Sequence, residues 1–131
     1  MSRSTRLFVY GSLMTDLKYS SLLAEAVFQG LASTRDPYEL FDLGPYPAAS
    51  PGGIIALQGE VYEVGAETLA RVDTLEGHPE LYRRSLRPLS DGSSAWIYEI
   101  VLSDATRQRL EASPRVEAGD WRSWLLKRSA T

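Results

Sequence analysis

The chain contains no cysteine. Disulfides, thiolate metal centres and a cysteine nucleophile are excluded together. Histidine is almost as scarce, since His78 stands alone, and neither an imidazole-rich metal site nor a Ser-His-Asp triad is expected. No apolar run approaches the roughly 18 residues needed to cross a bilayer. The short run after the basic start Met1-Ser2-Arg3-Ser4-Thr5-Arg6 breaks at Gly11, too soon for a secretory leader. Positive charge is not in excess either. A formal charge of −3 argues against nucleic acid or an anionic membrane as principal partner. What remains is a small-molecule ligand, no metal, and the cytoplasm as the expected location.

The 131 residues, 44% apolar and 24% charged, suit one domain, 1–131, with its own core. The ends, 1–6 and 126–131, are expected to be flexible. Residues 7–10 run apolar without alternation, which predicts a strand buried on both faces in the middle of a sheet. It stops at Gly11-Ser12, a turn able to aim backbone N–H groups into a cleft, although an ordinary turn is the plainer reading of that stretch alone. A short helix over 16–25 with Asp16 as N-cap is expected next, then a strand over 26–34 and, after Pro37, an apolar alternation over 38–43. Residues 44–53, with Pro45, Pro47 and Pro51 among glycines, predict an irregular loop packed against something.

Strand character returns over 54–64, where Gly59 signals a bulge or a close backbone approach. The clearest helix spans 66–76, stopped by Gly77 and reinforced by Pro79. Strands over 82–89 and 95–102 flank the hairpin signal Ser90-Asp91-Gly92-Ser93-Ser94. Residues 103–131 read as a partly helical, charged tail anchored by burial of Trp121 and Trp124. So many strands with few helices between them favour an α+β fold. The expected form is a mixed or antiparallel sheet curled toward a barrel, with peripheral helices.

On a wheel of about 100° per residue, Leu69, Val72, Asp73 and Glu76 share the face that a surface helix turns to the core. Arg71 and Thr74 lie opposite. Glu76 falls in the last turn, where burial and the negative end of the helix dipole both disfavour a carboxylate. Its pKa is therefore expected to rise toward neutrality, as a general acid or base requires. A glutamate paired with Arg83 or Arg84, or exposed by fraying, is the structural alternative. Asp73 reads as a brace for backbone or an arginine, and at most one of Arg83 and Arg84 can face a cleft from a strand. Ser12 has no histidine at useful range to activate it, and His78 reads as a solvent-exposed neighbour of the site.

Five stretches stand in a telling order: Phe8-Val9-Tyr10-Gly11-Ser12-Leu13, Gly44-Pro45-Tyr46-Pro47-Ala48, Gly59-Glu60-Val61-Tyr62-Glu63-Val64, Leu69-Ala70-Arg71-Val72-Asp73-Thr74-Leu75-Glu76-Gly77 and Tyr82-Arg83-Arg84. Together they resemble the γ-glutamylcyclotransferase-like family, which includes γ-glutamylamine cyclotransferases, the avirulence-induced-protein-like proteins of plants and a cyclotransferase of butirosin biosynthesis. The resemblance covers residues 7 to about 102, and Gly119-Asp120-Trp121-Arg122 is similar to the tail of bacterial members. It implies a small mixed-sheet barrel that releases 5-oxoproline from a γ-glutamyl amine or amide. It also implies Glu76 as catalytic acid and base, with Tyr10, Gly11, Ser12, Leu13 and Tyr82 binding substrate. Thr15-Asp16-Leu17-Lys18 departs from the pattern by lacking a glycine, which bears on the pocket mouth. Attack of the substrate's own α-amine on its γ-carbonyl needs positioning and one proton carrier, so no cofactor or metal is implied. A monomer or weak homodimer is expected. Two other readings stand beside this one. The first is a non-catalytic protein of the same fold that binds a small carboxylate or γ-glutamyl ligand, and the second is an interaction module that docks through Trp121 and Trp124.

Overall fold

Leu7, Phe8 and Val9 are buried because the strand that carries them, β1 (Ser4–Val9), is paired on both sides. The computed structural model describes residues 4–129. After β1 come a 3-10 turn (Ser20–Leu23), β2 (Val27–Ser33), β3 (Tyr38–Asp42), β4 (Pro47–Pro51), β5 (Gln58–Gly65), α1 (Ala66–Glu76), β6 (Tyr82–Pro88), β7 (Ser94–Ile100), α2 (Asp104–Glu111) and α3 (Trp121–Ser129). Five strands form one mixed sheet in the order β2-β5-β1-β7-β6. In it β1 runs antiparallel to β5 and parallel to β7, and β3 and β4 make a separate antiparallel pair.

The expected α+β class with a central first strand is what the chain adopts. The sheet is not a closed barrel, however. Its edges touch at one corner, where Thr34 bridges Leu89 and the Ser90 N–H donates to Ser33 O at 2.9 Å. Elsewhere the twist carries β2 and β6 apart, and Val27, Phe28 and Leu86 on those edges stay exposed.

Two local expectations fail for physical reasons. Residues 16–25 form no α-helix beyond the 3-10 turn: Asp16 has φ 66° and is not an N-cap. The N–H groups of Leu17 and Tyr19 instead reach Met14 O (3.0 Å) and Ser12 O (2.8 Å), so this backbone is used up in turns. The expected irregular loop over 44–53 contains β4, with Ala48 and Ala49 fully buried. Pro47 and Pro51 sit at the two ends of that strand, where a missing N–H is tolerated.

Other local signals hold. α1 spans the residues expected of it, and Gly77 ends it in the left-handed region at φ 63°. Gly59 is a close approach, because a Cβ there would lie 2.2 Å from Val9 O. The sheet's bulge falls in β2, between Phe28 and Gly30. Of the ends expected to be flexible, Ser4 to Arg6 belong to β1 and residues 126–129 to α3, while 1–3, 130 and 131 lie outside the described residues. Among the described residues no helix is long and apolar enough to cross a membrane.

The tail is part of the core. Trp121 is 1% exposed, and Trp124 Nε1 donates to Asp42 at 2.8 Å. Burial alone would raise the Asp42 pKa, but hydrogen bonds from Trp124, the Gly44 N–H and Arg128 outweigh it and the net shift is downward. Trp121→Ala should therefore cost about 3–5 kcal/mol of stability, read as a lower urea midpoint by far-UV circular dichroism. An unchanged midpoint would return Trp121 to the role of a docking residue.

Candidate functional site

Where β1 ends, the chain turns sharply through residues 10–14. The Met14 N–H closes the turn on Gly11 O at 3.0 Å. The N–H groups of Gly11, Ser12 and Leu13 meet no backbone or side-chain acceptor among the described residues, and all three residues line a cavity of about 180 Å³. Successive unpartnered amides in such a turn form a seat for an anion or a developing oxyanion. Glycine is required at the first position, since a Cβ on Gly11 would stand 2.8 Å from Pro47 Cγ and 2.9 Å from its Cδ. β4 thus supplies one cavity wall through Pro47.

Tyrosines form much of the remaining wall. Tyr10 donates its hydroxyl to Tyr98 O at 2.5 Å, and Tyr82 donates to Pro47 O at 2.9 Å. Both phenols are pushed well above their ordinary pKa, first by burial and then by neighbours that include Glu76. They stay protonated, and their protons are held by backbone carbonyls. Tyr46 meets the Tyr82 ring edge-on at 6.5 Å.

Glu76 enters the same cavity from the end of α1. Among the described residues it has no hydrogen-bond or ion-pair partner, and burial raises its pKa from 4.5 to about 7. The other carboxylate at this end of α1, Asp73, does have a guanidinium. Arg84 donates to both oxygens of Asp73, at 2.9 and 3.2 Å, while Tyr98 donates to Asp73 Oδ1 at 2.5 Å. Burial raises the Asp73 pKa, but Arg84 and Tyr98 outweigh it and leave Asp73 an anion. Asp73 is the brace it was expected to be. His78 accepts the Arg84 N–H at 3.3 Å and does not line the cavity.

A second carboxylate supports the turn from behind. Glu60, 2% exposed in the middle of β5, accepts the Thr15 N–H at 2.8 Å, the Thr15 hydroxyl at 3.1 Å and the Tyr62 hydroxyl at 3.0 Å. Arg122 of α3 donates to Thr15 O at 2.6 Å and to Glu60 at 3.3 Å. The two peptide units that flank Thr15, just after the seat, are thereby each held by a charged group, one at its N–H and the next at its C=O.

Tyr10, Gly11, Ser12, Leu13, Glu76 and Tyr82, all singled out in the sequence, come together in this one cavity. Sequence reasoning did not single out Tyr19, Tyr98, Leu75 or Leu81, which line it too, and it took Tyr46 and Pro47 for parts of a loop. The family-like stretch Gly44-Pro45-Tyr46-Pro47-Ala48 was the available signal for the last two. Among the described residues no three His, Asp or Glu side chains converge to hold a metal ion.

Comparison with known proteins gives a consistent picture. Residues 7–123 match the family model described as "Gamma-glutamyl cyclotransferase, AIG2-like". A gamma-glutamylcyclotransferase family protein, ytfP, of Citrobacter rodentium is 37% identical over 116 residues, covering 88% of this chain and 94% of that protein. A gamma-glutamylaminecyclotransferase of Bos taurus is 35% identical over 92 residues, 63% of this chain and 55% of that protein. The fold matches the crystal structure of an AIG2-like protein from Mus musculus with a TM-score of 0.77 at 22% identity, over 90% of this chain and 89% of that one.

The raised Glu76 pKa has a signed consequence for stability. The native state binds this proton more tightly than the unfolded chain, so the stability it confers is complete below about pH 4.5 and is lost as pH rises to about 7. Urea midpoints of Glu76→Gln and wild type measured across that window should move in favour of the variant with rising pH and run parallel above it. A constant offset would mean that Glu76 titrates as an ordinary carboxylate.

Proposed function

This chain belongs to the γ-glutamyl cyclotransferase, AIG2-like family, and from that premise we propose that it releases 5-oxoproline from a γ-glutamyl amine or amide. One observation carries the reading: an unpaired carboxyl with a pKa near 7 shares a cavity with a turn of unpartnered amides. The substrate's α-carboxylate accepts hydrogen bonds from the N–H groups of Gly11, Ser12 and Leu13. Ionised Glu76 removes a proton from the α-ammonium. The freed amine nitrogen attacks the γ-carbonyl carbon, forming the ring C–N bond and placing negative charge on the carbonyl oxygen. As that charge collapses, the bond to the original amide nitrogen breaks and Glu76 returns its proton to the departing amine, while the ring nitrogen, which still carries two protons after the attack, gives one up to water and leaves the neutral lactam.

A base poised near neutrality suits both proton transfers. Because nucleophile and electrophile belong to one molecule, holding the folded pose of the glutamyl chain supplies a large part of the acceleration. Tyr10 and Tyr82 keep their protons and their bonds to backbone carbonyls, and in this mechanism they shape the cavity and keep water from Glu76.

The test is release of 5-oxoproline from a panel of γ-glutamyl amines and amino acids. Glu76→Gln keeps the shape and removes the base, and it should lower kcat/KM by about 10²–10⁴-fold. For wild type, kcat/KM should fall on the acid side with a midpoint near pH 7. An inert wild type across the panel, or a fully active variant, would sink the assignment.

A further inference from the structure

Resting on the cyclisation reading above, we propose that the leaving half of the substrate is an apolar amine, selected by an aromatic and aliphatic rim formed by Tyr19, Tyr46, Leu75 and Leu81. The residues that line the cavity divide by exposure. Tyr10, Leu13, Pro47, Tyr82 and Tyr98 are buried and form its floor, whereas Tyr19 and Tyr46 are partly open to solvent and Leu75 and Leu81 are 37% and 44% exposed. The glutamyl carboxylate and the reacting carbonyl are served by the amide turn and Glu76, so the departing nitrogen and its substituent must lie toward the open side. There the substituent meets the rim.

Neither leucine of the rim is buried in the core. The side chains that α1 buries are Thr68 and Val72; Leu75 continues their stripe one turn on, yet at the end of the helix it is left 37% exposed at the cavity mouth. Leu81 follows the turn that closes α1, with its backbone already secured by the N–H bond to Gly77 O at 2.9 Å. Large apolar side chains left open around a concave site mark a surface that gains by covering.

The charge at the site points the same way. Ionised Glu76 stands beside the scissile bond and repels an anionic leaving half, and a carboxylate pressed on the leucines would lose water without compensation. Two cations do lie nearby. Lys18 Nζ stands 5.3 Å from the centre of the Tyr19 ring but does not line the cavity; the other is a guanidinium. Arg109 of α2 acts electrostatically on Tyr82 but does not line the cavity, and its Nη2 reaches Leu43 O at 3.4 Å.

The experiment compares γ-glutamyl methyl-, ethyl-, propyl- and butylamide, with γ-glutamylisobutylamide set against γ-glutamylglycine, which it matches in shape but not in charge. Each methylene buried against the rim should raise kcat/KM by about two- to fourfold. The isobutylamide should exceed γ-glutamylglycine by about tenfold or more, roughly the discrimination expected for an uncompensated polar group. Leu81→Ser should bring the butyl-to-methyl ratio toward one, and Arg109→Gln should leave that ratio unchanged. A flat series, or γ-glutamylglycine turned over as fast as the isobutylamide, would overturn the apolar rim while 5-oxoproline from the methylamide upheld the cyclisation. No 5-oxoproline from any member would overturn both.

Discussion

The bidentate pairing of Arg84 with Asp73 is the interaction that ties α1 to β6 and fixes the end of the helix that carries Glu76. Toward its C-terminal end α1 carries two carboxylates about one turn apart, Asp73 and Glu76, and β6 supplies a guanidinium to the first of them. Because Asp73 also accepts the Tyr98 hydroxyl, it holds Arg84 with several charge-assisted hydrogen bonds at once, and the pair is stronger than either contact alone. Glu76 is left with burial and no partner. These two carboxyls are thus driven in opposite directions, Asp73 down and Glu76 up, and in the proposed mechanism that separation gives one a structural part and the other the proton transfers. The same Tyr98 takes the Tyr10 hydroxyl on its carbonyl, which ties α1, β7 and the end of β1 into one frame.

A second frame stands behind the amide turn. Glu60 holds the Thr15 N–H and Arg122 the Thr15 carbonyl, so the C-terminal helix takes part in holding the seat although it contributes nothing to the cavity lining. Amides can stabilise developing charge only if they are already fixed where that charge appears. Here the fixing is done by a buried carboxylate that accepts three donors from protein groups and by an arginine brought from more than a hundred residues away in sequence. The tail also closes the core through Trp121 and caps the β3–β4 turn through Trp124 and Arg128. Seat and core therefore share their supports.

Much of this was legible in the residues themselves where the governing signal is local. A 3.6-residue period put Glu76 on the core face of α1, Gly77 marked the end of that helix, and an unbroken apolar run put β1 in the middle of the sheet. Long-range pairing left weaker traces. Pro47 and Pro51 disguised β4 as a loop, because its pairing with β3 depends on residues on the other side of the turn. Glu60 reads as the solvated position of an alternating strand, yet β5 is covered on both faces and the charge is buried among Thr15, Tyr62 and Arg122. The segment after Met14 has helix-forming residues, but its amides are captured by the turn before it. Closure of the sheet into a barrel was suggested by the number of strands, and it stops at the Thr34–Leu89 corner.

The sequence by itself determined the class of fold, the turn after β1 and the helix that carries the proton-transfer candidate, because each follows from contacts between near neighbours in the chain. The tertiary structure alone decided which carboxylate Arg84 pairs with, which tyrosines wall the cavity, and that leucines border its mouth. Those outcomes depend on how β4, β6 and β7 approach β1 across the core, and a side chain's charge state and exposure are set by what surrounds it in space, not by its neighbours along the backbone.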